Sequence, residues 1–115
     1  MEINMSDTAK IRALNDQLRS TFRGGKIAAT SGLLSIGNLP AILKQLSTFS
    51  AFDPGNDPHH EHDFGAFKVA GEDGYERLVF FKIDYYDPEL MMGSQNPADP
   101  ALTARVLTLM LAEEW

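Results

Sequence analysis

Residues 64 to 86 read FGAFKVAGEDGYERLVFFKIDYY, and this stretch decides the fold because its apolar residues alternate with a period of two. Such alternation is typical of β-strands, whose successive side chains point to opposite faces of a sheet. Segments 64–70 and 75–86 therefore predict the two strands of a β-hairpin, with the turn GEDG at 71–74. Apolar residues on both faces of the second strand indicate a central strand that is partly covered on each side.

The chain before the hairpin predicts two helices and a short strand. Apolar residues recur at three- and four-residue spacing from Ser6 to Phe22, which predicts a helix that ends before two consecutive glycines. The segment KIAAT at 26–30 predicts a strand. Asn38 and Pro40 are typical of a helix start and precede a second apolar stripe that runs to Phe49.

The chain after the hairpin predicts a turn at 87–88, a short edge strand at 90–92 and a final helix. Asp99 and Pro100 are typical of a cap and a first helical position. The inward side of that helix would carry four apolar residues, which are Leu102, Val106, Leu109 and Met110. The pair Met91-Met92 then has two interpretations, a soft binding patch or an edge strand packed under the final helix.

Together these elements predict an α+β fold, in which about three helices pack mainly on one face of a small, mostly antiparallel sheet of three or four strands. We expect residues 1–5 to form a flexible tail and residues 6–115 to form one compact domain. The 115 residues contain no cysteine, which excludes thiol catalysis, thiolate zinc sites and disulfides. The sequence contains neither a signal-peptide pattern nor an apolar run long enough to span a membrane, which predicts a cytoplasmic protein.

Charge is distributed unevenly along the chain. Residues 1–50 hold six bases and three acids, a balance of +3, whereas residues 51–115 hold four bases and thirteen acids, a balance of −9. An acidic surface repels nucleic acid directly and attracts a basic protein surface. We therefore expect a protein-binding surface formed by acids of the later half, namely Asp53, Asp57, Glu61, Asp63, Glu72, Asp73, Glu76, Asp87 and Glu89.

All three histidines fall within DPHHEHDF at 57–64, which raises the question of a metal site. In an extended segment His60 and His62 point the same way, and Asp84 of the hairpin could supply a third ligand. Two other interpretations stay open. One is acid/base chemistry, and the other is a structural role in which His62 and Asp63 hydrogen-bond backbone amides and hold the loop against the strand.

Four blocks, EHDFGAF at 61–67, KIDYYD at 82–87, NPADP at 96–100 and TARVLTLMLAEEW at 103–115, resemble a bacterial group, the domain-of-unknown-function family 3768. The resemblance covers the chain from about Asp7 to Trp115. It implies a small cytoplasmic bacterial protein, of a kind commonly encoded on plasmids and other mobile elements. It implies no particular reaction and supplies no catalytic residue.

The sequence thus favours a non-enzymatic protein-binding module without a cofactor. Its expected partner is a basic protein surface, such as that of a nucleic-acid-binding host protein, and the mobile-element setting suggests an inhibitor of host defence of the anti-CRISPR or anti-restriction type. A small metal-dependent enzyme that uses the histidine-rich loop is one alternative. A structural homodimer that pairs through the edge at 90–92 is another.

Overall fold

The computed structural model describes residues 6–115, and the predicted flexible tail at residues 1–5 lies outside the described residues. Two short 3₁₀ turns, Pro100–Leu102 and Ala112–Glu114, flank the last strand. The helices and strands follow one another along the chain in the order α1 (Asp7–Thr21), β1 (Lys26–Ala29), α2 (Ser31–Ser35), α3 (Leu39–Thr48), β2 (Phe64–Ala70), β3 (Glu76–Tyr86) and β4 (Ala104–Leu111).

The two longer helices begin where the sequence predicts them. The Ser6 side chain accepts a hydrogen bond from the backbone N–H of Ala9 and caps α1. Asn38 precedes α3, and Pro40 lies in its first turn. The Asn38 side chain does not cap the helix but donates to the carbonyl of Ala70, so it ties the start of α3 to the end of β2.

The four strands form one sheet in the order β1-β4-β3-β2. The predicted hairpin of β2 and β3 is present, with Phe67 opposite Val79, and β3 also pairs antiparallel with β4. Only the edge strand β1 runs parallel to its neighbour β4. The three helices cover one face of this sheet, which confirms the predicted α+β class and its mostly antiparallel sheet.

One hydrophobic core lies between the helices and the sheet. At its centre Leu18 of α1, Leu46 of α3 and Phe81 of β3 are fully buried. Gly65 of β2 is required here because the rings of Phe49 and Phe81 occupy the space that a side chain would need. The sheet face turned toward the core comprises mainly aliphatic residues, which are Ile27, Val69, Val79, Ile83, Leu107, Leu109 and Leu111.

The predicted final helix is wrong, because residues 104–111 form β4. Val106, Leu109 and Met110 have helical spacing, but Leu107 and Leu109 also alternate with the period of a strand. A strand between two others has apolar residues on both faces, so its sequence satisfies both patterns. The interior position of β4 between β1 and β3 decides between them.

Two further differences concern short segments. Residues 90–92 form no strand, and an isolated bridge between Tyr86 and Gly93 is the pairing found at this place. The sequence prediction also missed α2, which has only five residues and begins at a cap formed by the Thr30 side chain. No helix in residues 6–115 is long and apolar enough to cross a membrane.

Candidate functional site

The histidine-rich loop between α3 and β2 is fastened to α1 by His62. Its Nδ1 lies 2.8 Å from Asp16 Oδ1, and its Nε2 lies 3.6 Å from Asp57 Oδ2. The imidazole stacks on Phe52 with ring centroids 3.8 Å apart and nearly parallel planes. Asp57 is buried and also accepts the backbone N–H of His62. The ring thus contacts two carboxylates rather than the backbone amides that the structural interpretation named, and it joins the loop to α1.

A second polar cluster lies beside the first, between α1 and the sheet. Asn15 is fully buried, donates to the Tyr85 hydroxyl and to the Glu61 carbonyl, and accepts from Nε of Arg105. The Tyr85 hydroxyl in turn donates to the Glu61 carboxylate at 2.8 Å. Burial raises the pKa of Tyr85, so the phenol stays protonated and keeps this donor at neutral pH.

Arg105 is the most unusual member of this cluster, because its side chain is buried in β4 between apolar neighbours. Its guanidinium donates to Asn15 and to the Pro97 carbonyl and lies 5.1 Å from the ring centroid of Tyr85. Burial lowers the pKa of Arg105. The sequence analysis missed Asn15 and Arg105 because neither residue stands in a recognisable motif.

The structure does not assemble the predicted metal ligands. Asp84 points to the sheet face opposite the helices and pairs with Lys82 at 2.9 Å, whereas His62 lies on the helix side. His60 is exposed, and its backbone carbonyl accepts a hydrogen bond from Arg12. Within residues 6–115 no group of three His, Asp or Glu side chains is placed to hold a metal ion.

Three of the nine predicted acids lie in or beside the histidine loop and are turned inward. Asp57 is only 3% exposed and therefore contributes nothing to a surface. The Glu61 carboxylate is engaged by Tyr85. Burial raises the pKa of Asp63, and the nearby carboxylates of Glu61 and Asp57 raise it further. These residues were predicted from composition, which does not show which way a side chain points.

The hairpin turn holds a second group of the predicted acids. Asp73 forms a two-pronged ion pair with Arg77, and this hydrogen bonding lowers the pKa of Asp73 to about 2. Glu76 lies 3.9 Å from Lys68, and Glu72 is exposed beside them. Two of the three acids at this turn are therefore partly neutralised by bases of the same hairpin.

The remaining predicted acids lie in loops. Asp53 accepts backbone N–H groups of its own turn, and Asp87 and Glu89 follow β3. The eleven residues of β3 separate the hairpin turn from Asp87 by roughly 33 Å at the rise of an extended strand. The acids of the hairpin turn are therefore far from Asp87 and Glu89 along the sheet.

The loop after β3 displays apolar residues on a rigid frame. Asp87 Oδ1 accepts the backbone N–H groups of Glu89 and Met91, and the Asp87 N–H donates to the Met92 carbonyl. Leu90 is held at φ 61°, a left-handed conformation that costs a residue with a Cβ about 1 kcal/mol. Met91 is nevertheless 79% exposed and Met92 71% exposed.

Neighbouring segments extend this surface, which we call the apolar end and define as Tyr86, Leu90, Met91, Met92 and Leu102. All five side chains are exposed. A groove of about 240 Å³ enters the surface between Met92 and Leu102 and is also lined by Asp87, Pro88, Gly93 and Gln95. The packing interpretation of the methionine pair is wrong, since the helix that would have covered it does not exist.

Hydrogen bonds from the following loop hold the apolar end in place. The Ser94 hydroxyl contacts the Thr103 hydroxyl at 2.7 Å and the Leu102 carbonyl at 3.1 Å. Asp99 accepts the Ala101 N–H and caps the 3₁₀ turn, as its position before Pro100 predicts. The buried guanidinium of Arg105 donates a hydrogen bond to the Pro97 carbonyl of the same loop.

A family model described as protein of unknown function (DUF3768) matches residues 8–114. The chain belongs to this family. The match runs from α1 to the last 3₁₀ turn, so it includes the histidine loop, the buried cluster around Asn15 and the apolar end. No curated protein and no solved structure matches the chain significantly.

Proposed function

We propose that this protein is a non-enzymatic binding module, and that its apolar end binds a basic segment of another protein. The exposure of Met91 and Met92 on a loop fixed by Asp87 carries this proposal. Large apolar side chains clustered on a surface are typical of interaction sites. Methionine suits such a site because its flexible, polarisable side chain adapts to a partner.

The backbone of the apolar end supports the same conclusion. A flexible loop would let the methionines fold back onto the protein, whereas the Asp87 contacts and the strained Leu90 hold them outward. Strain of this kind persists only where surrounding contacts maintain it, and it is concentrated at functional sites. A fixed loop also loses little conformational entropy on binding, which favours affinity.

The charge around the apolar end favours a basic partner. From Tyr86 to Ala104 the chain contains Asp87, Glu89 and Asp99 but no lysine or arginine. A partner helix or strand with an apolar stripe flanked by Lys or Arg would match both the methionines and these carboxylates. In this proposal Asp87 and Glu89, two of the acids predicted from sequence, lie beside the apolar contact and attract the basic partner.

The role of host-defence inhibitor stays a prediction from the family resemblance. It agrees with the proposed site in one respect, since nucleic-acid-binding proteins present the basic surfaces that this site would attract. The metal-enzyme alternative receives no support from the placement of Asp84 away from His62.

Capture from a host lysate tests the proposal with matched variants. The double variant Met91→Ser/Met92→Ser removes the apolar contact, and Leu34→Ser, at a 53% exposed position on α2, controls for loss of any exposed apolar side chain. We expect the unaltered chain and the Leu34 variant to retain the same basic proteins, in amounts that fall as salt rises, and the double variant to lose them. Equal retention by all three chains would refute the proposed site.

A further inference from the structure

No helix packs on the sheet face opposite α1, α2 and α3 within residues 6–115, and we call it the open face. In the observed register its outward side chains are those of alternate residues of each strand. A solvated sheet face normally carries mostly polar residues. The centre of this open face is instead apolar. Leu78 is exposed, Phe64, Ala66, Phe80 and Val106 are half-buried, and Met110 is buried.

An aromatic cluster occupies one part of the open face. The rings of Phe64 and Phe80 lie 5.2 Å apart, and Trp115 packs edge-on against them at 5.2 Å and 5.9 Å. Trp115 nevertheless remains 69% exposed, and Leu78 is 41% exposed. The protein's own chain, within residues 6–115, therefore covers this face only in part.

The charges of the open face nearly cancel. Lys82 pairs with Asp84 at 2.9 Å, Lys68 lies 3.9 Å from Glu76, and Lys26 points outward from β1. Three lysines and two carboxylates give a formal balance of +1, whereas the whole chain carries −6, so the remainder of the chain carries −7. Two copies of the chain repel one another least when they approach through this face.

We infer that the open face binds a second copy of this chain around a two-fold axis. This inference goes beyond the proposed function and concerns a different surface. In a two-fold arrangement the Lys82–Asp84 pairs of the two protomers can meet in opposite order, so that each lysine finds a carboxylate of the other copy. The basic partner proposed for the apolar end is a poorer occupant, because the open face offers it no excess of negative charge.

Pairing through a strand edge is a less suitable route to the same dimer. On the outer edge of β2 the carbonyls of Lys68 and Ala70 already accept hydrogen bonds from the Gln45 and Asn38 side chains. Part of the edge is thus covered, as natural sheets often arrange to prevent edge pairing. Association is expected face to face, which differs from the edge at 90–92 that the sequence suggested.

The size of the open face sets the expected affinity. Four strands of about seven residues project roughly 450 Å² at ordinary sheet spacings, so two copies bury at least roughly 900 Å². Specific interfaces at this low end of the size range are weak and transient. We therefore expect a dimer with a dissociation constant of about 1–100 μM.

Trp115 is the only tryptophan of the chain, so its fluorescence reports directly on this face. Sedimentation velocity and Trp emission should be measured together from about 1 μM to about 1 mM protein, a range that brackets the expected constant. We expect the sedimentation coefficient to rise with concentration and the emission to shift to the blue over the same range. A chain that stays monomeric throughout overturns the inference.

Two substitutions locate the interface. Leu78→Lys and Ala66→Lys, on the open face, should each weaken association at least about tenfold, and circular dichroism should show that both variants are folded. Met91→Lys, at the apolar end, should leave association unchanged even if it abolishes capture of a basic partner. Association that survives both open-face substitutions, or that Met91→Lys abolishes, would place the contact elsewhere and contradict the inference.

Discussion

At the scale of single residues, the polar groups buried under α1 matter more than the acids that the composition emphasises. Asn15 and Arg105 are almost completely buried, and each has its polar atoms matched by the other or by neighbouring carbonyls and hydroxyls. A buried polar group costs little when it is paired and much when it is not. This cluster fixes α1 on the sheet and supports the loop that carries the apolar end.

Asn15→Ala should therefore be strongly destabilising. The substitution removes the acceptor of Arg105 and the donor to Tyr85, so two buried polar groups lose a partner. We expect the free energy of unfolding to fall by about 3 kcal/mol, measured by urea denaturation. Gln17→Ala, at an exposed position of the same helix, is the control. A loss of less than about 1 kcal/mol for Asn15→Ala would mean that water replaces the lost partners.

Asp63→Asn should stabilise the protein at neutral pH. Burial raises the pKa of Asp63 above its ordinary 3.8, so the folded state holds the proton more tightly than the unfolded state does. The charged carboxylate therefore lowers stability as pH rises from 3.8 through the folded-state pKa. Urea denaturation at several pH values should show that the variant is more stable than the unaltered chain at pH 7 and equally stable below pH 3.8. A loss of stability at pH 7 would show that the carboxylate makes a favourable contact.

Asp73→Asn should destabilise the protein at neutral pH, which is the opposite of the effect expected for Asp63→Asn. Its hydrogen bonds with Arg77 lower the pKa of Asp73 to about 2, so the ionised carboxylate favours the folded state. That contribution is fully present above pH 3.8 and disappears as pH falls through about 2. Because the pair is exposed, the same denaturation series should show only a small loss in the free energy of unfolding at pH 7. This loss should vanish in acid. An unchanged stability at both pH values would show that Arg77 contributes nothing here.

At the scale of elements, the sequence predicts those whose pattern has one interpretation. The hairpin has two short segments rich in strand-forming residues around the turn GEDG, and α1 and α3 begin with residues suited to a helix start, so their type and place are correct. The sequence of residues 104–111 fits a helix and an interior strand equally well. Only the pairing of this segment with β1 and β3 shows that it is a strand. The polar cluster could not be predicted without that strand, because Arg105 is seen to be buried only when residues 104–111 are known to form β4.

Gly65→Ala tests how closely α3 and the sheet approach. An added methyl group would overlap the rings of Phe49 and Phe81, which pack edge-to-face at 5.2 Å. We expect a loss of about 1–3 kcal/mol in the free energy of unfolding, because a well-packed core must shift to accommodate extra volume. Ala66→Ser, on the open face next to it, should change stability by less than about 0.5 kcal/mol. A Gly65→Ala variant as stable as the unaltered chain would show that the end of α3 can move to make room for the methyl group.

His62→Ala tests whether the histidine loop has a structural role. His60 and His62 share nearly the same left-handed backbone, at φ 58° and φ 56°, so His60→Ala is a control matched for backbone strain. The His62 variant loses the Asp16 contact and the stack on Phe52. Hydrogen exchange in residues 51–63 should then quicken about tenfold or more, corresponding to about 1–3 kcal/mol for a charged hydrogen bond, and the control should change little. Equal effects of both substitutions would assign the result to backbone strain alone.

At the scale of the whole molecule, β3 connects the two places where partners could bind. Its end at Tyr86 leads into the apolar end, and its middle carries Phe80 and Lys82 on the open face. The two surfaces adjoin at Tyr86, whose side chain lies on the same sheet face as those of Lys82 and Asp84. They also differ in charge, since the loops of the apolar end carry Asp87, Glu89 and Asp99, whereas the open face is nearly neutral.

This difference predicts opposite responses to salt. Raising the concentration of sodium chloride from about 50 mM to about 500 mM shortens the distance over which exposed charges act. Capture of a basic partner should weaken, because attraction to Asp87, Glu89 and Asp99 is screened. Self-association should strengthen, because the repulsion between two chains of net charge −6 is screened while the apolar contact of the open face is not.

Both responses can be measured in one salt series, by sedimentation velocity for the chain alone and by capture for its partner. The Met91→Ser/Met92→Ser variant should keep the first response and lose the second, and Leu78→Lys should do the reverse. If self-association weakened with salt as capture does, the two copies would be held by ion pairs between them rather than by the aromatic face. The exchanged Lys82–Asp84 pairs would then contribute more to the contact than the aromatic cluster does.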